Sequence, residues 1–189
     1  MVEKLFKRSA FSEDSRVKFP TLVHLMGMGF KYISFKGLHT NHFVFPKTEF
    51  DDKTNILIDQ FKAAFNKLNP ECEEGDADKK LAEIQKSLNN DDLGRQFYNE
   101  IFLNPGAGRI IDLSSATNFL KNNTFQCATE MTCGSLEGDN YRPDITLFVN
   151  GLPLAFIEVK KQNNHKGIKA ETDRMKTRFK TRAFRRYPL

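Results

Sequence analysis

The chain has 189 residues, with 29 Lys or Arg against 24 Asp or Glu and a formal net charge of +5. That length supports one good core and one domain. It holds no run of eighteen apolar residues and no signal-peptide pattern, so nothing in it is expected to span or cross a membrane. Cys72, Cys127 and Cys133 show no metal-ligand spacing and suit a reducing cytosol, and four scattered histidines make zinc binding an unattractive reading.

Ser12-Glu13-Asp14 reads as a helix start, a small polar cap followed by acids in the first turn. Val17, Leu22, Leu25 and Met26 continue the helix, and Gly27 and Gly29 end it. Pro20 must lie in the first turn or kink the helix. Lys31 to Phe35 then reads as a short strand or extended link. Leu57, Phe61, Phe65 and Leu68 recur at helical spacing, as do Leu81, Ile84 and Leu88, and then Leu93, Phe97 and Ile101. Asn69-Pro70 and residues 89–92 read as joints, and Asn104-Pro105-Gly106 as a stop. About 49–104 is therefore a helical insertion expected on one side of a sheet. Arg109 to Leu113 and Thr124 to Cys133 return to β character. Glu130 lies on the second of these, either as a further acid of a site or as a satisfied surface acid.

The most informative stretch follows. Ile145 to Val149 and Leu152 to Ile157 are apolar runs joined by Asn150-Gly151, a dipeptide that tolerates positive φ at both positions and so favours a β-hairpin. The hairpin, about 141–161, folds Asp144 back beside Glu158. Adjacent carboxylates repel unless a cation lies between them, and oxygen ligands suit Mg²⁺. Lys160 shares a strand face with Glu158. An acid, one residue and a lysine occur three times in the chain, but only Glu158-Val159-Lys160 closes an apolar strand. The plainer reading is a hairpin with charged ends. A two-residue turn pairs positions whose numbers sum to 301, which would set Asp144 and Glu158 on opposite faces. A shared site therefore requires either a three-residue turn with Gly151 in a left-handed bulge, or a bulge near Pro153.

Gln162 to Asn164 reads as a polar turn, and Ile168, Thr172, Met175 and Phe179 mark a helix. From Lys160 to Leu189 eleven basic residues face two acids, a net of +9, leaving −4 on the rest of the chain. Two acids, a cation and a lysine can bind a phosphate, activate a water and offset charge in a phosphodiester transition state; beside such a site this segment is an electrostatic footprint for DNA, and alone it would be a solvated basic face. Lys161, Lys169, Arg174, Arg178, Arg182 and Arg185 are the candidate DNA contacts.

The string Arg142-Pro143-Asp144 through Glu158-Val159-Lys160-Lys161-Gln162-Asn163-Asn164 closely resembles the N-terminal nuclease domain of the R (restriction, or motor) subunit of type I restriction enzymes. The likeness continues to Gly167-Ile168 and, more loosely, covers Ser12 to Phe35 and Asn123 to Glu130; residues 49 to 104 carry none. The resemblance implies an α/β fold, the restriction-endonuclease-like PD-(D/E)xK core with a mixed β-sheet flanked by helices. It implies that Asp144 and Glu158 are metal ligands with the Val159 backbone carbonyl, and that Lys160 is the catalytic lysine. In related nucleases an acid of the first helix approaches the metal, which makes Glu13 a further candidate beside Glu130. The family's Gln-x-x-x-Tyr pair is not reproduced: the nearest register gives Glu171 and Met175.

The resemblance implies Mg²⁺-dependent endonucleolytic cleavage of double-stranded DNA, in a bacterial or archaeal cytoplasm, within a complex containing modification and specificity subunits. ATP would enter only through translocase domains; the chain has no Gly-x-x-x-x-Gly-Lys-Ser/Thr loop. The 189 residues read as a single nuclease-domain fragment whose sheet is incomplete and which is not expected to cleave by itself. The rivals are a catalytically inactive DNA-binding or docking module of the same fold, and an autonomous repair or homing nuclease.

Overall fold

In the computed structural model the described residues are 14–36, 38–39, 44–45, 47–51, 53–88, 92, 94–99, 108–132, 141–160 and 165–178. A π-helical turn, Asp14–Lys18, runs into helix α1, Phe19–Gly27. Pro20 thus falls in the first α turn, where its missing N–H costs nothing. The helix ends at Met28, and Gly29 adopts φ +100°.

Strand β1, Lys31–Ile33, pairs in parallel with β4, Phe125–Thr129. β4 pairs antiparallel with β5, Ile145–Val149, and β5 with β6, Leu152–Ile157, giving a mixed sheet in the order β1-β4-β5-β6. A separate two-stranded ladder joins β2, Leu38–His39, to β3, Val44–Phe45. The remaining helices are α2, Ile58–Leu68; α3, Asp76–Leu88; α4, Arg95–Tyr98; α5, Ala116–Asn122; and α6, His165–Arg178.

The two faces of the sheet are read from strand alternation. Cys127, Ile145, Leu147, Ile157 and Val159 pack with Val17, Leu22 and Leu25 of the N-terminal helix. Ala128, Phe148 and Phe156 turn the other way, toward Met175 of α6, Phe35 and Phe50. Helices α2 to α4 gather about the turn end of the hairpin. Phe61, Phe65, Leu81, Ile84 and Phe97 close around Leu152, with Val149 and Leu154 against them. Gly151 sits so tightly there that an added Cβ would lie 2.6 Å from the Leu57 carbonyl oxygen and 2.7 Å from the Phe61 nitrogen.

The hairpin turn is the two-residue form, with Asn150 at φ 52° and Gly151 at φ 79°. Val149 pairs with Leu152 and Phe148 with Pro153, both summing to 301. Beyond a bulge the register changes: Leu147 faces Ala155, Thr146 faces Phe156 and Ile145 faces Ile157. Leu154 is the extra residue. The irregularity next to Pro153 is present, and the three-residue turn is not. Pro153 lies on β6, an outer strand of the sheet among the described residues, where it forfeits no interior ladder bond.

Two expectations need correction. Arg109 to Leu113 form no strand. Ile110 and Ile111 are adjacent yet both buried, unlike the alternation of a half-covered strand. Their backbone is satisfied by side chains instead: Asn69 accepts the Arg109 N–H at 2.7 Å and Asn150 donates to the Ile110 carbonyl at 2.8 Å. The segment leads into α5, capped by Ser115, whose hydroxyl accepts the Asn118 N–H at 3.1 Å; no apolar stripe announces this helix. Finally, α6 faces the sheet through Glu171 and Met175, while Ile168 and Thr172 are exposed. The expected third stripe is described only over α4, and Phe179 lies outside the described residues.

Candidate active site

Asp144 and Glu158 stand at the open end of the hairpin, one step beyond the Ile145–Ile157 pair. Because Val159 packs with Ile145 and Leu25, its neighbours Glu158 and Lys160 project to the opposite face, the face of Thr146, Phe156 and Asp144. The bulge thus brings the two acids and the lysine to one side of one sheet edge.

Each acid is held. The Val159 N–H donates to Asp144 Oδ2 at 2.9 Å, and Lys18 Nζ lies 3.4 Å from Asp144 Oδ1. The buried Tyr141 hydroxyl donates to Glu158 Oε1 at 2.7 Å, and Lys160 Nζ is 3.8 Å from Glu158 Oε2. Side-chain exposures of 25% for Asp144 and 15% for Glu158 leave both within reach of solvent and of a ligand. Lys160 Nζ is also 3.3 Å from Glu171 Oε2, and Glu171 is ion-paired with Arg174. The ammonium is therefore suspended between an acid of the hairpin and an acid of α6. Charge-assisted contacts of this kind fix a lysine's direction more than they add stability.

Glu130 follows directly after β4, in the left-handed region at φ 51°. Its N–H donates to the Asp144 carbonyl at 3.2 Å, and its carboxylate accepts from Lys18 Nζ at 3.1 Å. That hydrogen bond holds its carboxyl below the usual carboxylate range, against the opposing effect of burial. Asp144, Glu158, Lys160 and Glu130 thus lie in one linked cluster. Among the described residues, no three His, Cys, Asp or Glu side chains converge closely enough to hold a metal ion by themselves.

The basic candidates are placed unevenly. Lys169 is exposed on α6, Arg174 is half-exposed and committed to Glu171, and Arg178 ends the helix. Glu13, Lys161, Arg182 and Arg185 lie outside the described residues, as does the Arg178 side chain. Three site residues were not assigned from the sequence. Glu171 and Met175 fall where the resemblance would place an amide and a phenol; Glu171 instead holds Lys160, and Met175 joins the core with Phe148 and Phe156. A lone acid on the inward side of a basic helix was the available signal for Glu171. Tyr141 adjoins the acidic motif but carries no spacing that would name its partner. Lys18 had no signal at all, since it meets Glu130 across 112 residues of chain.

Residues 10–188 match the model of the family described as the type I restriction enzyme R protein N terminus. The chain is 27% identical over 154 residues to the type I restriction enzyme HindI endonuclease subunit of Haemophilus influenzae. That alignment covers 74% of this chain and 14% of the relative, so the chain spans about a seventh of the relative's length. No solved structure matches.

Proposed function

Because the chain belongs to the family of type I restriction enzyme R protein N termini, we propose that it is a restriction nuclease domain of the PD-(D/E)xK kind, cleaving double-stranded DNA with Mg²⁺. The observation that supports this most directly is the shifted hairpin register, which sets Asp144 opposite Glu158 with Lys160 on the same face. Two carboxylates and a backbone carbonyl are few ligands for a protein cage. They suit Mg²⁺, which keeps several waters and binds through one or two carboxylates plus substrate phosphate. Asp144, Glu158 and the Val159 carbonyl would hold it. When bound there, the ion would polarise the scissile phosphate and lower the pKa of an attacking water.

The chain's own groups prepare that chemistry. The Val159 N–H fixes Oδ2 of Asp144, while Oδ1 faces Lys18 Nζ at 3.4 Å. The Tyr141 hydroxyl fixes Oε1 of Glu158, whose Oε2 lies 3.8 Å from Lys160 Nζ. Lys160, drawn between Glu158 and Glu171, can orient the water or offset charge on the phosphorane oxygens. The basic run beginning at Lys160 would bind the DNA backbone without reading sequence. Translocation by ATP-driven domains, and site recognition by modification and specificity subunits, would belong to the larger assembly. The relative is described as an endonuclease subunit, consistent with that arrangement.

Asp144→Ala or Glu158→Ala, introduced into the longer subunit, should abolish Mg²⁺-dependent plasmid cleavage and leave the domain folded. Lys160→Ala should abolish cleavage and retain the metal. Wild-type cleavage by Asp144→Ala would remove the mechanism. Metal binding without any cleavage by the intact wild-type assembly would leave the docking-module alternative.

A further inference from the structure

Both carboxylate oxygens of Asp144 are already engaged. Oδ2 accepts the Val159 N–H, a bond that belongs to the hairpin backbone. Oδ1 faces the Lys18 ammonium at 3.4 Å. An incoming metal ion that ligates Oδ1 therefore displaces the lysine from it. Lys18 is anchored: its side chain is 11% exposed, and the neighbouring Val17 packs against the sheet. A second acceptor waits beside it, Glu130 Oε1 at 3.1 Å. Glu130 is fixed in place by an uncommon left-handed backbone and by its N–H bond to the Asp144 carbonyl.

From this geometry we infer that Lys18 is a resident cation of the metal site: it neutralises Asp144 while no metal is bound, is retained by Glu130 when metal displaces it, and from there sets how tightly the metal is held. The inference rests on the reading of Asp144 as a metal ligand. A like charge kept a few ångströms from a divalent ion opposes its binding, and the partial burial of the group limits screening. Glu130 thereby acts through Lys18, as a positioning residue, rather than as a ligand.

The test is Mn²⁺ titration of the 189-residue chain, followed by calorimetry and by the electron paramagnetic resonance of free Mn²⁺, with circular dichroism confirming the fold of each variant. Lys18→Met, which keeps most of the apolar stem, should tighten Mn²⁺ binding about tenfold. Lys18→Arg, which keeps the charge, should bind within a fewfold of wild type. Glu130→Gln should loosen binding in the wild-type background, because the ammonium loses the charged acceptor that competes with Asp144 for it. In the Lys18→Met background the same change should have no effect beyond about twofold. Unchanged or weaker binding by folded Lys18→Met overturns the inference. So does an equal loss from Glu130→Gln in both backgrounds, which would make Glu130 a direct ligand. Asp144→Asn separates the two levels of the reading: it should remove the Mn²⁺ site. If it binds as wild type does, the metal-site reading itself fails; if it abolishes binding while Lys18→Met changes nothing, only the role of Lys18 fails.

Discussion

Replacing Gly151 by Ala should damage the fold more than any other single added methyl at a described turn. Gly151 has φ +79°, where an L-residue costs about 1–2 kcal/mol over glycine. The new Cβ would also meet two backbone atoms of the α2 start, 2.6 Å and 2.7 Å away, and backbone has no rotamer in which to retreat. The hairpin tip must back off from α2. That stretches the 2.9 Å bond from the Leu57 N–H to the Gly151 carbonyl, whose net worth is about 1 kcal/mol. Displacing a close-packed junction that contains Leu152 and Phe61 adds about 1–3 kcal/mol. The total is about 4 kcal/mol, or roughly a 10 °C fall in Tm for a chain of this size. Gly75 supplies the control: its φ is +93°, and nothing lies within 4 Å of an added Cβ. Gly75→Ala should therefore show the backbone term alone, about 1–2 kcal/mol. Urea unfolding of both variants checks the difference. Equal losses would show that the hairpin tip is not clamped against α2, and the packing argument would fall.

Asn150→Ala should destabilise by about 3 kcal/mol, since a buried amide that bonds Thr124, Ile110 and Asn123 is lost and the Thr124 N–H and Ile110 carbonyl lose their side-chain partner; urea denaturation with a loss under about 1 kcal/mol would contradict this. Asp112 is held down to about 2 by hydrogen bonds from Ser114 and Asn122. Because the folded value lies below the unfolded one, its contribution is present above about pH 4 and is lost as pH falls toward 2. Thermal melts from pH 5 to pH 2 should therefore show a shallower acid decline in Asp112→Asn than in wild type, and parallel curves would refute the assignment.

What the sequence made legible was local. Asn150-Gly151 sits between two apolar runs of strand length, and the turn and both strands form where the runs lie. The irregular register followed from a parity argument: a two-residue turn and a shared carboxylate face are incompatible without an extra residue, and Pro153 marked the place. The stripes of α2 and α3 were equally readable because their periodicity lies within single helices. Long-range polar partnerships were not. Asn150 was read as a turn former, yet its side chain ties the hairpin to Ile110 and Asn123. Lys18 reaches Glu130 and Asp144, and Glu171 reaches Lys160, from two different helices, on contacts that no spacing encodes. Ile110 and Ile111 misled because apolar, β-branched residues look alike in a strand and in a buried irregular segment.

The bulge gives β6 one residue more than its partner between the turn and the acids, and this makes the hairpin unequal toward changes of length. Loss of one residue near Leu154 can be absorbed by straightening the strand, with the turn and the Ile145–Ile157 pair both kept in step. Gain of one residue there has no such outlet. It needs a second bulge, or it turns Glu158 and Lys160 over together to the side of Val159 and Leu25, away from Asp144. Length variation in descendants of this chain should accordingly fall outside 144–160 or shorten it, while the helical segment that grips the turn can lengthen without disturbing the parity of the acidic end.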